Sequence, residues 1–412
     1  PLRDFIQGDP DAVLLVEFYG KSADELPARL DALEAALNER GLGYHFYRAV
    51  TPSTQARIWS LRQAALGLTM AEVGDAKSIS FVEDTAVPPA HLHDYIETFK
   101  RILAEHEINA AFYAHASVGL LHIRPVVNMK TAEGVRKFEA IANEVADLVL
   151  EYGGALSGEH GDGLVRAPFQ EKIFGAEIYQ AFCEVKAAFD PAALFNPGKI
   201  VHAPPLTTDL RYGNGYTPRE VETAFDFSDF GGFQRAAEQC SGVGACRKTL
   251  TGTMCPSYMA TRNEMHTTRG RANALRLAIS GQLDTTELAH EALLPVLELC
   301  LECKACKSEC PTGVDMARLK SETLHQIHLQ HGPAFADRLI ADIERVSRWG
   351  SRFAPLVNWA GKLGITRHLN EWMLGFDHRR PLPTFAHQPF LAQWQPPAND
   401  RSPTVALFSD TF

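Results

Sequence analysis

The stretch CLECKACKSECP, residues 300–311, sets four cysteines two, two and three residues apart and closes on proline. On that spacing Cys300, Cys303 and Cys306 can wrap three thiolates around one iron–sulfur cubane, while the turn before proline carries Cys310 to a different cluster. A tetrahedral zinc site would also accept four thiolates, although zinc usually draws them from two separated pairs. Upstream, CSGVGACRKTLTGTMCP (240–256) repeats the pattern with Val243 where a middle cysteine would stand. Exchange of the two Cys-Pro thiols then gives Cys255 to the cluster of Cys300, Cys303 and Cys306, a complete [4Fe–4S] set. Cys240, Cys246 and Cys310 remain as three ligands. They suit a [3Fe–4S] cluster, or a [4Fe–4S] cluster whose odd iron takes a histidine, a water or a thiol from elsewhere. His266 is a weak candidate for that position, since a lone histidine more often belongs to the surface or core. Between the motifs Arg247, Lys248, Arg262, Arg269, Arg271 and Arg276 stand against one acid, Glu264. Such cations would steady anionic thiolate-ligated clusters, or else form a solvated helix face.

Two stretches nearer the N-terminus carry other ligand types. HASVGLLH holds His115 and His122, and SGEHGDG (157–163) holds Glu159 and His160 in a glycine-rich turn. Seven residues apart on a straight strand, two side chains point to opposite faces. A bend at Gly119 would let both histidines converge, one from each arm. Two imidazoles and a carboxylate suit a divalent metal, zinc or manganese, with positions open for substrate. Ordinary histidines and an exposed loop glutamate satisfy the same residues.

Positioning these groups falls to regions of different character. Over residues 1–203, strand-like and helix-like segments alternate. AVLLVEFYG (12–20), YHFYRAV (44–50) and SISFVED read as strands, and 110–128 as two strands around Gly119. Helical spacing covers 23–41, 53–71, 89–107, about 131–152 and about 169–189. The expected fold is α+β, an antiparallel sheet backed by helices. Residues 204–232, rich in Pro, Gly and Asp, read as a linker. From 233 to 402 the strand signals vanish, which predicts an α-helical, ferredoxin-like two-cluster domain. PTVALFSDTF (403–412) reads as a strand opening a truncated further domain. With no initiating Met, the chain is expected to be a fragment.

The bulk properties narrow the function. The 412 residues suffice for two or three domains, and a net charge of −10 offers no basic field to gather nucleic-acid phosphates. Seven of the eight cysteines lie between 240 and 310, which points to metal in a reducing interior rather than to disulfides. There is no apolar run of membrane-spanning length and no signal peptide. The expected location is the cytoplasm, with peripheral contact to the inner membrane compatible.

The stretch SGEHGDGLVRAPF…VKAAFDPAALFNPGKIVHA (157–203) resembles the C-terminal part of the vanillyl-alcohol-oxidase-type FAD-linked oxidases. With CSGVGACRKT…MCPSYMATR…TRGRA and CLECKACKSECPTGVDM, the chain resembles those members that fuse the oxidase to an iron–sulfur domain. The resemblance implies FAD, bound by an amino-terminal domain of the same polypeptide that this chain lacks. It also implies oxidation of a small D-2-hydroxy acid, with D-2-hydroxyglutarate favoured over D-lactate and glycolate. Electrons would leave to a quinone or an electron-transfer protein, and a homo-oligomer is expected. The metal ligands would be His115, His122 and Glu159, with His160 as the base beside them. Arg62 in IWSLRQ and Lys77 in GDAKSISFVED match carboxylate-binding, catalytic positions. Asn196 in the FNPGK turn would approach the flavin ring. Where relatives often read GHxGDGNLHxN, this chain has Ala114, Val118, Leu120 and Arg124. Arg124 would then pair with the second carboxylate of a dicarboxylic substrate, or simply face solvent. Two other readings remain open: an electron-transfer subunit with a retired oxidase scaffold, and an interaction module with structural zinc.

Overall fold

The computed structural model describes residues 3–283 and 291–395; the strand expected at 403–412 lies outside them. The described residues divide into two units, one reaching Lys320 and the other beginning at Ser321. The first unit opens with the helices α1 (Leu26–Glu39) and α2 (Pro52–Met70). Then come β1 (Lys77–Ser78), β2 (Thr85–Ala86), α3 (Leu92–Glu105), β3 (Ala110–His115), β4 (Leu120–Val127), α4 (Ala132–Glu151) and α5 (Gln170–Phe189). β4 is the central strand. It pairs antiparallel with β3 along its length, with β1 at its end and with β2 at its start. The α+β architecture with a small antiparallel sheet is as the sequence leads one to expect.

Alternation along β4 explains where the core and the chemistry go. Leu121, Ile123 and Val127 point one way, into a core with Tyr95, Phe99 and Leu103 of α3 and Phe138, Ile141, Val145 and Val149 of α4. Both helices present these residues three or four apart, a continuous apolar face. Thr131 caps α4, its hydroxyl accepting from the Gly134 amide at 3.0 Å. The intervening positions, His122 and Arg124, fall on the opposite face of the strand.

Two expected strands are not strands. Residues 12–20 and 44–50 run extended without ladder partners, leaving Val13, Leu14, Tyr19, Tyr44 and Val50 exposed. Alternating apolar residues describe a chain fit for a sheet, but pairing requires a neighbour, and none stands beside them among the described residues. SISFVED is strand only at its first residue: 79–84 leave the ladder, and Asp84 adopts a left-handed φ of 73°. That departure turns Glu83 and Asp84 toward the other face of β4.

Residues 204–227 form no helix or strand, yet Leu206, Leu210 and Tyr212 pack against the core and Tyr216 is buried. The cysteine-bearing part is built from short helices, α6 (Phe233–Glu238), α7 (Pro256–Thr261), α8 (Thr268–Ile279), α9 (Leu294–Glu298) and α10 (Ala305–Glu309). α11 (Met316–His331) is divided between the units. The second unit adds α12 (Phe335–Ala341), α13 (Ile343–Arg352), α14 (Ala354–Ala360), α15 (Gly364–Leu374) and α16 (Phe390–Gln393). No helix among the described residues is long and apolar enough to cross a membrane.

Candidate functional site

The β3–β4 hairpin creates the first site. Its turn, 116–118, ends at Gly119 with φ 71°, and a Cβ there would lie 1.9 Å from the Val87 carbonyl oxygen. Only glycine fits so close an approach. The register sets Tyr113 opposite His122 and His115 opposite Leu120, so both histidines stand on one face. Their ring centroids are 5.3 Å apart, and His160 stacks on His122 at 5.0 Å.

One carboxylate oxygen collects all three imidazoles. Glu159 Oε1 lies 3.6 Å from His115 Nε2, 3.2 Å from His122 Nε2 and 3.3 Å from His160 Nε2. Behind them Glu83 receives His122 Nδ1 at 3.0 Å on one oxygen and His160 Nδ1 at 2.9 Å on the other. A ring held at Nδ1 by a carboxylate presents Nε2 as the lone-pair nitrogen, the arrangement of metal-bound histidines. Asp84, His122, Glu159 and His160 each offer an atom within 4.8 Å of one another, and that set fits a divalent cation; the predicted ligand His115 stands outside it. Asp84 is fully buried and accepts from the Ser157 hydroxyl at 2.7 Å and from the amides of Glu159 and His160 at 3.0 and 2.9 Å. Burial alone would raise its pKa, but these bonds outweigh it and hold the carboxyl below its ordinary range.

Arg62, on α2, reaches the same place. Its Nη2 is 3.1 Å from His115 Nδ1, and its guanidinium lies over the Trp59 and Tyr113 rings at 4.8 and 5.2 Å. Arg124 is near but engaged, donating to Ser80 Oγ at 3.2 Å and Glu83 Oε2 at 3.4 Å. Lys77 does not join the group. It pairs with Val127, five residues along β4 from His122, roughly 17 Å away. Its ammonium donates to the Glu72 carbonyl and to Gln239 Oε1. Asn196 also lies apart, in an exposed turn at φ 47° where it accepts from Lys199. Sequence reasoning missed Glu83, Asp84 and Arg166, the last of which donates to the Glu83 carbonyl at 2.6 Å and the Gly161 carbonyl at 2.8 Å. The paired acids closing SISFVED, and an arginine just after the glycine-rich turn, were the available signals.

Six of the cysteines fall into two sets by their neighbours. Every cysteine is a free thiol, with Cys240, Cys246, Cys255 and Cys306 buried and Cys303 exposed. Cys240 lies within electrostatic reach of Cys246 and Cys310, whereas Cys300 lies within reach of Cys255 and Cys306. Burial pushes the Cys240, Cys246, Cys300 and Cys306 thiols up, a penalty that a cationic iron core removes when it takes them as thiolates. Arg271 is 0% exposed and bonds Cys255 Sγ at 3.3 Å, Ser257 Oγ at 2.9 Å and the carbonyls of His266 and Val296 at 2.8 and 2.9 Å. None of these is a carboxylate. A buried guanidinium so placed suits an anionic cluster on the sulfurs. Beside the other group, the Arg269 amide donates to Cys246 Sγ at 3.4 Å. His266 is tied to the Cys255 side: its carbonyl meets Arg271 and its Nδ1 pairs with Thr261 Oγ1 at 2.8 Å.

With the geometry in hand, comparison with known proteins is informative. Residues 3–200 match the family described as FAD linked oxidases, C-terminal domain, and residues 238–315 match the 4Fe-4S dicluster domain. The chain thus carries a C-terminal domain of the FAD-linked-oxidase type followed by a 4Fe-4S dicluster domain. It is similar to the D-2-hydroxyglutarate dehydrogenase of Haemophilus influenzae, 30% identical over 88% of this chain and 39% of that protein. The Escherichia coli D-2-hydroxyglutarate dehydrogenase is also 30% identical, over 91% of this chain and 41% of its own length. A D-lactate dehydrogenase from Archaeoglobus fulgidus is 32% identical over 48% of this chain. The chain thus spans about two fifths of the length of the curated relatives it matches.

Proposed function

We propose that this chain is the substrate-binding and electron-relay part of an FAD-linked dehydrogenase that oxidises a D-2-hydroxy acid, D-2-hydroxyglutarate, to its 2-oxo acid. The observation that carries this reading is the convergence of three imidazoles on Glu159 beside the aromatic-flanked Arg62. The choice of acid is supported by relatives named D-2-hydroxyglutarate dehydrogenase that match across both regions of the chain, while the D-lactate relative matches less than half.

Arg62 binds the substrate carboxylate through charge-assisted hydrogen bonds, its plane fixed by Trp59 and Tyr113. His122 and Glu159, joined by His115 once Arg62 leaves its Nδ1 for the substrate carboxylate, would hold a divalent metal, zinc or manganese, which when bound supplies Lewis acidity to the 2-hydroxyl. His160 accepts the hydroxyl proton at Nε2, the nitrogen left free when Nδ1 donates to Glu83. FAD, when bound, would supply the acceptor for the C2 hydride. The seven clustered cysteines would hold the iron–sulfur groups that supply one-electron transfer to a quinone or an electron-transfer protein. Arg124, beside the site on Glu83, is the candidate partner for the second carboxylate of the substrate, whereas Lys77 donates to Gln239.

A panel of D-2-hydroxyglutarate, D-lactate and glycolate, given to the intact protein with a dye acceptor, tests the assignment. Turnover of the first, abolished by a chelator and restored by zinc or manganese, is expected. His160→Asn should remove turnover and leave the visible absorption of the clusters unchanged; undiminished turnover would take His160 out of the reaction. No metal in a freshly prepared sample, with no turnover of any acid, would favour an electron-transfer scaffold instead.

A further inference from the structure

Resting on the reading that each cysteine set holds an iron–sulfur cluster, we infer that electrons reach the cluster of Cys240, Cys246 and Cys310 first and depart from that of Cys255, Cys300, Cys303 and Cys306. The asymmetry lies in how the two loops meet the oxidase domain. α6 runs directly into Cys240 and is fixed beside the sheet by charge pairs, buried at Glu238 and half-buried at Asp75 and Arg235. Arg235 donates to both Asp75 oxygens at 2.9 and 2.7 Å, and Lys130 bridges Asp75 at 2.8 Å and Glu238 at 2.6 Å. Gln239 continues the attachment, donating to the Ala71 carbonyl at 2.7 Å while accepting from Lys77 at 3.0 Å.

Cys310 meets the same domain from the other side. Pro311, its neighbour, packs so tightly on α2 that a Cβ at Gly67 would lie 2.6 Å from Pro311 Cβ. Gly67 is five residues along that helix from Arg62, an axial rise of about 7.5 Å. One helix thus links the substrate side chains to the Cys310 turn. Around the second set the bonds turn inward: Arg271 and Ser257 on Cys255, and Lys320 donating to the Cys300 carbonyl at 2.8 Å. Its outer edge is open, with Cys303 exposed beside Leu301, 72% exposed. Val243 beside the first set is also exposed, but there the thiols Cys240 and Cys246 are buried, whereas Cys303 is itself a thiol at an apolar surface rim, where an external acceptor can approach.

The electrons balance simply. Each hydroxy acid gives up two electrons and two protons in becoming the 2-oxo acid. The electrons cross one at a time, each reducing the inner cluster, then the outer one, then an acceptor of the quinone or electron-transfer-protein class.

The test starts from the intact protein with its flavin reduced by a light pulse in the presence of a sacrificial tertiary-amine electron donor, so that a wrong substrate assignment does not disturb it. Freeze-quenched samples are followed by electron paramagnetic resonance, with Cys246→Ser and Cys303→Ser identifying which signal belongs to which cluster. The signal altered by Cys246→Ser should appear first. Asp75→Asn and Gly67→Val, which replace no cysteine, should delay it severalfold while iron content and reduction by dithionite stay as in the unaltered protein. Earlier or simultaneous appearance of the Cys303-dependent signal would overturn the order, as would an undelayed signal in Asp75→Asn. Protein without iron would instead overturn the underlying reading along with it.

Discussion

Glu83 receives Nδ1 of two different histidines, one on each oxygen, and is itself nearly inaccessible to water. Its role is to orient: with both rings fixed, their Nε2 atoms face the Glu159 oxygen together. Glu83→Gln keeps the size but replaces one acceptor by a donor that meets an N–H. Loss of such an outer carboxylate typically weakens metal binding by about 10–100-fold, which competition with a chelator of known affinity would measure. Asp84, its neighbour, acts on the loop. Because its folded pKa is lowered, it contributes stability above the ordinary carboxylate range, and that contribution is lost as pH falls through the lower folded value. Asp84→Asn should cost about 1–3 kcal/mol at neutral pH and flatten the acid limb of the thermal-unfolding profile. Neither acid was legible from the string alone. His115, His122, Glu159 and His160 stand in patterned motifs, whereas Glu83 lies 39 and 77 residues from its two partners. Only strand pairing brings them together.

The hairpin of β3 and β4 is the element on which the histidines depend. At Gly119 an alanine would have to displace the Val87 carbonyl, and a left-handed φ adds to the strain. Gly119→Ala should therefore lower the unfolding temperature and reduce bound metal per chain, since His115 and His122 sit on the two arms it joins. Helices were the most legible elements: α2, α3, α4 and α5 run within a few residues of where apolar spacing and caps put them. Strands were less so. A helix satisfies its own hydrogen bonds, so its pattern is local, while a strand is completed by residues elsewhere in the chain. That is why 110–128 folds as a hairpin and 12–20 does not, although both are rich in strand-forming residues.

At the scale of the molecule, the oxidase sheet and the cysteine helices fall in one unit, and Leu206, Leu210 and Tyr212, within the stretch 204–232 expected to be a linker, cover part of the core. Tyr216 donates to Glu238 at 2.5 Å, so that stretch also touches the charge network beside Cys240. The crossed assignment of the cysteines is read from the Cys-x2-Cys comb and the Cys-Pro turns, which are local devices, and the neighbours of Cys240 and Cys300 agree with it. The docking of one set against α2 was not legible, because Gly67 and Pro311 carry no pattern linking them. Both regions therefore report on each other, and damage to one should be read in the other.

Val243 occupies the place of an absent sulfur and is 51% exposed. A cubane seated there would have one corner open to oxygen and peroxide, like a fuse at the junction of two circuits. Handling in air should strip that corner iron first, converting the centre to a three-iron form while its neighbour survives. Val243→Cys should seal the gap, and iron analysis after timed aeration would register slower loss.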